Sequence, residues 1–329
     1  FAYVSGPDGV LAFTGVAVDA PGLGGAAVHA HRTGLAALIA RDAEDCLAAV
    51  GDLLDYLPAN HMEDPPTVAC DDPTDRLCRR AAEIVPSSAA SSYDMRRVIG
   101  DVMDHGSFLE VQELHAPNII TAFARLGGRA VGVVANQPHQ RAGTLDIEAS
   151  RKAAAFVQCC DAFNLALVTF VDTPGFEPGK SLEWRGMIRH GAELVHAYAA
   201  ATVPRICVVV RKAYGGAYIV MDSKNLGNDL CFAWPTAEIA VMGAPGAVQI
   251  LFSKRLEGIA DVAQRTRARD ELIADYEERF CSPEIAAERG YVDDIIAPRD
   301  TRSVLTRAIA RLATKRDRAS RAKHSNAPL

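Results

Sequence analysis

The sequence predicts an α/β protein built on a largely parallel sheet. Apolar runs of strand length, Arg129–Asn136, 165–171 and 206–210, read as strands buried on both faces. Segments of helical length, 147–163 and 186–200, separate them as βαβ crossovers require. Gly- and Pro-rich stretches follow the strands, as expected where ligands gather at the carboxyl edge of such a sheet.

The elements follow in chain order. Residues 1–4 read as a short strand with little sheet of its own. The opening Phe-Ala-Tyr-Val-Ser-Gly-Pro, without a methionine, reads as the continuation of an upstream segment. Gly22-Leu-Gly-Gly25 reads as a loop, and helical periodicity runs from about Leu35 to Leu57, with Asp42 or Asp45 available as its cap. Residues 61–74 combine acidic residues with prolines, a linker composition, so a boundary is expected near 60–85. A helix follows over 93–103, a short strand over 108–112 and a period-2 strand over Ile119–Leu126. Gly127-Gly128 marks the turn into Arg129–Asn136. After the 206–210 strand come a helix, short strands near 230–233 and 238–241, and a long charged helical stretch over 255–280. No fixed-period repeat is visible.

Composition narrows the function classes. With 49% hydrophobic and 23% charged residues, the chain has the balance of a soluble globular protein. No apolar run approaches the roughly 18 residues of a membrane span, and no signal peptide is visible. A net charge of −6 gives no reason to expect nucleic acid. The basic residues Lys315, Arg316, Arg318, Arg321 and Lys323 read as a solvated tail. Eight cysteines without metal-ligand spacing read as reduced thiols of a cytoplasmic protein.

Three strand ends carry unusual residues: Ala135-Asn-Gln-Pro138, Asp172-Thr-Pro-Gly-Phe-Glu-Pro-Gly179 and Arg211-Lys-Ala-Tyr-Gly-Gly-Ala-Tyr218. Asp172 also fits a turn whose side chain accepts backbone hydrogens, and Asn136 fits a residue satisfying a loop amide. Gly215-Gly216, between a strand and a helix, suits either a tight turn or close approach of backbone amides to an oxygen gaining negative charge. No nucleophile elbow, zinc motif, phosphate loop or dinucleotide fingerprint is present, and His29, His31, His190 and His196 are scattered. The class that remains is enolate or carboxylate chemistry on a thioester, run by positioned backbone donors without a metal.

These stretches resemble one family. The match includes Tyr93-Asp-Met-Arg96, Gly106-Ser-Phe-Leu-Glu110, Val131-Gly-Val-Val-Ala-Asn-Gln-Pro138, Lys152-Ala-Ala-Ala-Phe156 and Cys160-Asp-Ala-Phe163. It continues through Asp172 to Gly179, Ile188-Arg-His-Gly-Ala192, Ala201-Thr-Val-Pro204, Arg211 to Tyr218, Ala233-Trp-Pro-Thr-Ala-Glu238 and Ala240-Val-Met-Gly-Ala244, with Leu23-Gly-Gly and His29 upstream. The chain resembles the carboxyltransferase (β) subunit of biotin-dependent acyl-CoA carboxylases of the acetyl- and propionyl-CoA type.

The resemblance implies a crotonase-like ββα spiral. Residues 1–75 would be the end of an acyl-CoA-side domain plus linker, and 76–329 the biotin-side domain. It implies a homo- or hetero-hexamer, a trimer of dimers, with an active site between domains of two subunits. Biotin would arrive on a carrier domain of another chain, with a biotin carboxylase and a biotin carboxyl carrier subunit as partners. Gly215, Gly216 and the Ala217 amide would polarise the carbonyl oxygens of carboxybiotin. The biotin anion left after release of CO2 would take the α-proton of the acyl-CoA, whose enolate would then attack the CO2. Gly175 and Phe176 would line the biotin entrance, Tyr214 and Tyr218 would wall the pocket, and Asn136 would contribute to the cofactor site. Ile219 stands where propionyl-type members carry Asp, so it would select the acyl group and leaves acetyl-CoA or longer substrates open. The upstream glycine-rich motifs that hold the acyl thioester in the family are not in this sequence, so the chain alone is expected to be incompetent. Two other readings stand beside carboxylation: a biotin-dependent decarboxylase or transcarboxylase subunit, and a non-catalytic structural subunit of a carboxylase complex.

Overall fold

The structure is a computed structural model that describes residues 1–315. The strands are β1 (Leu109–Val111), β2 (Ile119–Leu126), β3 (Arg129–Asn136), β4 (Ala166–Thr173), β5 (Arg205–Tyr214), β6 (Leu230–Ala233), β7 (Glu238–Ala240) and β8 (Asp294–Ile295). They form one sheet in the order β1-β2-β3-β4-β5-β6-β8, with β7 branching from β5. The first three pair antiparallel and all other pairings are parallel. This is the largely parallel sheet that the sequence predicts, and it agrees with the architecture the family resemblance implies.

Side chains alternate across the sheet, and both faces are covered. On one face Leu167 and Val171 of β4 and Cys207 and Val209 of β5 pack with the helices Ile147–Ala162 and Met187–Ala200. On the other, Val168, Phe170, Ile206 and Val208 pack with the helices Met95–Val102 and Thr301–Leu312. Burial on both sides explains why β3, β4 and β5 read as continuous apolar runs.

Several sequence expectations are corrected. Residues 1–4 form no strand; Ala2 instead donates one backbone hydrogen bond, to the Gly24 carbonyl. Gly22, Leu23 and Gly24 lie in a short helix, Ala20–Gly24, because the Asp19 side chain caps it through the Gly22 amide. The predicted 35–57 helix is confined to Ala43–Leu54, started by the Asp42 carboxylate accepting from the Asp45 amide. The 255–280 stretch is broken at Gly258 to Asp261 into parts of two helices, Ala244–Glu257 and Val262–Phe280, and Asp261 caps the second. Strand β5 runs four residues beyond 210, because Lys212–Tyr214 find a new partner in β7.

The segment between the first helices and the sheet is tied down by hydrogen bonds. Tyr56 Oη donates to the Ser107 carbonyl at 2.7 Å, Arg125 Nη2 to the Asp55 carbonyl at 2.7 Å, and Arg302 Nε to the Pro73 carbonyl at 2.8 Å. All eight cysteines are free thiols. Among the described residues no helix is long and apolar enough to cross a membrane, and no His, Cys, Asp and Glu cluster is arranged to hold a metal. Of the basic tail, Lys315 donates to the Val203 carbonyl and to Asp229, while Arg316, Arg318, Arg321 and Lys323 lie outside the described residues.

Candidate functional site

The carboxyl ends of β4 and β5 bring two of the sequence motifs together. Strand β5 ends at Tyr214, and the helix Gly215–Val220 begins at once. Gly215 has φ +57°, and a Cβ there would stand 2.8 Å from the Val241 carbonyl oxygen, so this position requires glycine twice over. Gly216 is exposed, and a Cβ there would meet only the Phe176 ring, at 3.5 Å. Tyr214 gives no side-chain cap, so the first-turn amides of this helix have neither a capping oxygen nor an intrahelical carbonyl.

Phe176 reaches this junction from the loop after β4. Its backbone bridges to Leu145, and its ring lies against the bare backbone of Gly191, where a Cβ would come within 3.2 Å. The ring is therefore held between Gly191 and Gly216. Gly175 beside it has φ +147° and open space on its Cβ side. The Phe176 ring and the exposed Gly216 thus bound one opening, with Gly175 next to Phe176 in the chain and Gly215 turned toward the Val241 carbonyl.

The other predicted residues are placed differently. Ala217 is fully buried behind Gly216. Tyr218 turns into the core toward Cys231, its oxygen 4.0 Å from the sulfur, rather than walling the opening. Tyr214 is buried and donates its hydroxyl to Glu238 of β7. Burial first, then neighbouring groups, pushes both phenols far above their ordinary range, so both stay protonated at neutral pH. Asn136 is fully buried, and its Oδ1 accepts from the Asp172 amide at 3.2 Å, so it secures β4 rather than facing the opening. Ile219 is 40% exposed on the helix that starts at Gly215.

Beneath the opening lies a buried charged group centred on Asp172, which the sequence reads as an acceptor of backbone hydrogens. Asp172, at zero exposure, accepts from Tyr93 Oη at 2.8 Å, Arg211 Nε at 2.9 Å and the Lys212 amide at 3.2 Å. Lys212 Nζ lies 3.7 Å from the same carboxylate, and burial lowers its pKa against the opposing pull of Asp172. The Arg211 guanidinium stacks over the Tyr93 ring at 5.0 Å. The available signal was an Asp at one strand end and an Arg-Lys pair at the next, which a parallel sheet sets side by side.

A family described as the carboxyl transferase domain matches residues 2–327. The propionyl-CoA carboxylase carboxyltransferase subunit of Haloferax mediterranei is 49% identical over 99% of this chain and 63% of its own length. The methylmalonyl-CoA decarboxylase subunit alpha of Veillonella parvula is 46% identical over 99% of this chain and 62% of its own. A crystal structure of transcarboxylase 12S, a hexamer with methylmalonyl-coenzyme A and methylmalonic acid bound, superposes with TM-score 0.94 at 44% identity, covering 99% of this chain and 62% of that one. The chain thus spans somewhat over 60% of the length of the relatives it matches.

Proposed function

Because the chain belongs to the carboxyl transferase family, we propose that it moves a carboxyl group between biotin on a carrier and the α-carbon of an acyl-CoA. The observation that carries this reading is the exposed Gly216 at an uncapped helix start, with Phe176 as its one close neighbour. Carboxybiotin, delivered by another chain, supplies the carboxyl group. Because no Cβ projects from Gly175 or Gly216 beside Phe176, a planar ureido ring would meet only backbone and an aromatic edge there. The first-turn amides are donors for an oxygen that gains charge, and Gly215 fixes their direction. Tyr214, Tyr218 and Asn136 pack behind the junction and do not line it.

Similarity to carboxylase, decarboxylase and transcarboxylase subunits supports the transfer itself and leaves its direction to the partner subunits. On this reading the subunit assembles as a hexamer, and Ile219, exposed beside the junction, contacts the acyl group and selects its length. Gly216→Leu is the direct test. Filling the opening should lower the kcat of carboxyl transfer about 100-fold or more, the typical effect of losing an oxyanion donor, with the oligomer intact by sedimentation. Undiminished turnover in that variant refutes the assignment.

A further inference from the structure

The pairing of β4 with β5 is regular up to Val171↔Val209 and resumes at Thr173↔Ala213, so β5 carries extra residues opposite Asp172. At the same place β5 changes neighbour. It pairs with β6 through Val209↔Ala233 and with β7 from Lys212↔Glu238 onward. A bulge leaves backbone groups of the longer strand without ladder partners and bends that strand. Here one carboxylate takes over one of them, the Lys212 amide, while Thr236 Oγ1 donates to the Val210 carbonyl. Asp172 Oδ1 accepts the Lys212 amide, and Oδ2 accepts Arg211 Nε together with Tyr93 Oη. Arg211 Nη1 in turn donates to the Ser88 and Ser91 carbonyls at 2.8 and 2.9 Å, and Lys212 Nζ to the Ala89 carbonyl at 3.3 Å, fastening the 86–91 loop over the bulge. Three residues beyond Asp172 stands Gly175, and three beyond Lys212 stands Gly215.

We infer that Asp172 is a positioning residue for the proposed transfer: by holding the β5 bulge it sets where the Gly215–Gly216 amides stand relative to Phe176. It touches no reactant. The inference rests on the functional reading above, but its geometric half can be measured without activity.

The experiment compares Asp172→Asn and Tyr93→Phe with the wild type in the native full-length subunit, reading carboxyl transfer from an α-carboxylated acyl-CoA to free biotin and amide hydrogen exchange along β5. In Asp172→Asn, exchange over residues 212–217 should rise by at least about ten-fold while residues 131–134 of β3 keep wild-type protection. Its kcat should fall about 100-fold with the KM for acyl-CoA unchanged, because the donors are displaced and substrate binding is not. Tyr93→Phe keeps the ion pair and should show the same pattern at a few-fold amplitude. It supplies the answer if Asp172→Asn does not fold. Wild-type exchange over 212–217 in the folded variant, or a KM effect without a kcat effect, overturns the inference. Absence of transfer by the wild type would instead defeat the functional reading, and the exchange result would still decide whether Asp172 holds the bulge.

Discussion

A methyl group added at Gly215 and one added at Gly216 meet different surroundings. At Gly215 it combines a left-handed backbone with the Val241 carbonyl, whereas at Gly216 it reaches ordinary contact with the Phe176 ring. Gly215→Ala should therefore cost roughly 1–2 kcal/mol or more of stability, and Gly216→Ala should fall within about 0.5 kcal/mol of the wild type, both measured by denaturant unfolding. Lys152 gives a second prediction at this scale. Its buried ammonium donates to the carbonyls of Gln112, His115 and Ile119, and burial lowers its pKa from 10.5 to about 8. A folded pKa below the unfolded one means that the unfolded chain binds the extra proton between those values. The contribution of Lys152 to stability is thus complete above pH 10.5 and lost as pH falls toward 8, a span of about 3 kcal/mol. Lys152→Met should flatten that rise between pH 8 and 10.5 in unfolding curves; an unchanged slope would show that other groups set it.

Element boundaries were legible where local chemistry decides them. The Ile147–Ala162 helix starts where Asp146 accepts the Ala149 amide, and the 186–200 prediction missed its first residue only because Gly186 is the cap. Asp146 also pairs with Arg141 at 2.6 Å. Asp146→Ala should cost about 1–2 kcal/mol, the range for a lost N-cap, read as a lower denaturation midpoint at constant m-value. Elements misread from the sequence were those set by distant partners. Strand β5 continues past Val210 because β7 supplies a ladder, although β7 lies more than twenty residues downstream. The helix over 35–57 shortens because Gln112 donates its amide to the Ala37 carbonyl, drawing residues before Arg41 into irregular pairing. Periodicity records neither event.

At the scale of the whole molecule, several large apolar side chains are exposed. Ile188 and Val241 are 85% and 77% exposed, and Ile219 is 40% exposed. A surface of this kind marks association. Replacing Ile188 and Val241 together by Asp should lower the sedimentation coefficient of the native protein while leaving its circular dichroism unchanged. A variant that sediments as the wild type does would place the interface elsewhere.

Strand and helix order, the parallel core and the family to which the motifs belong were legible in the chain alone. Buried parallel strands and the Gly-Pro loops after them leave a signature in local composition. Only the tertiary structure decided which motif residues face the opening. Phe176 meets Gly216 there and Gly215 turns toward the Val241 carbonyl, whereas Asn136, Tyr214 and Tyr218 lie buried. Side-chain direction at a strand end depends on the bulge between β4 and β5 and on the carboxylate that holds it, and both join residues some forty positions apart.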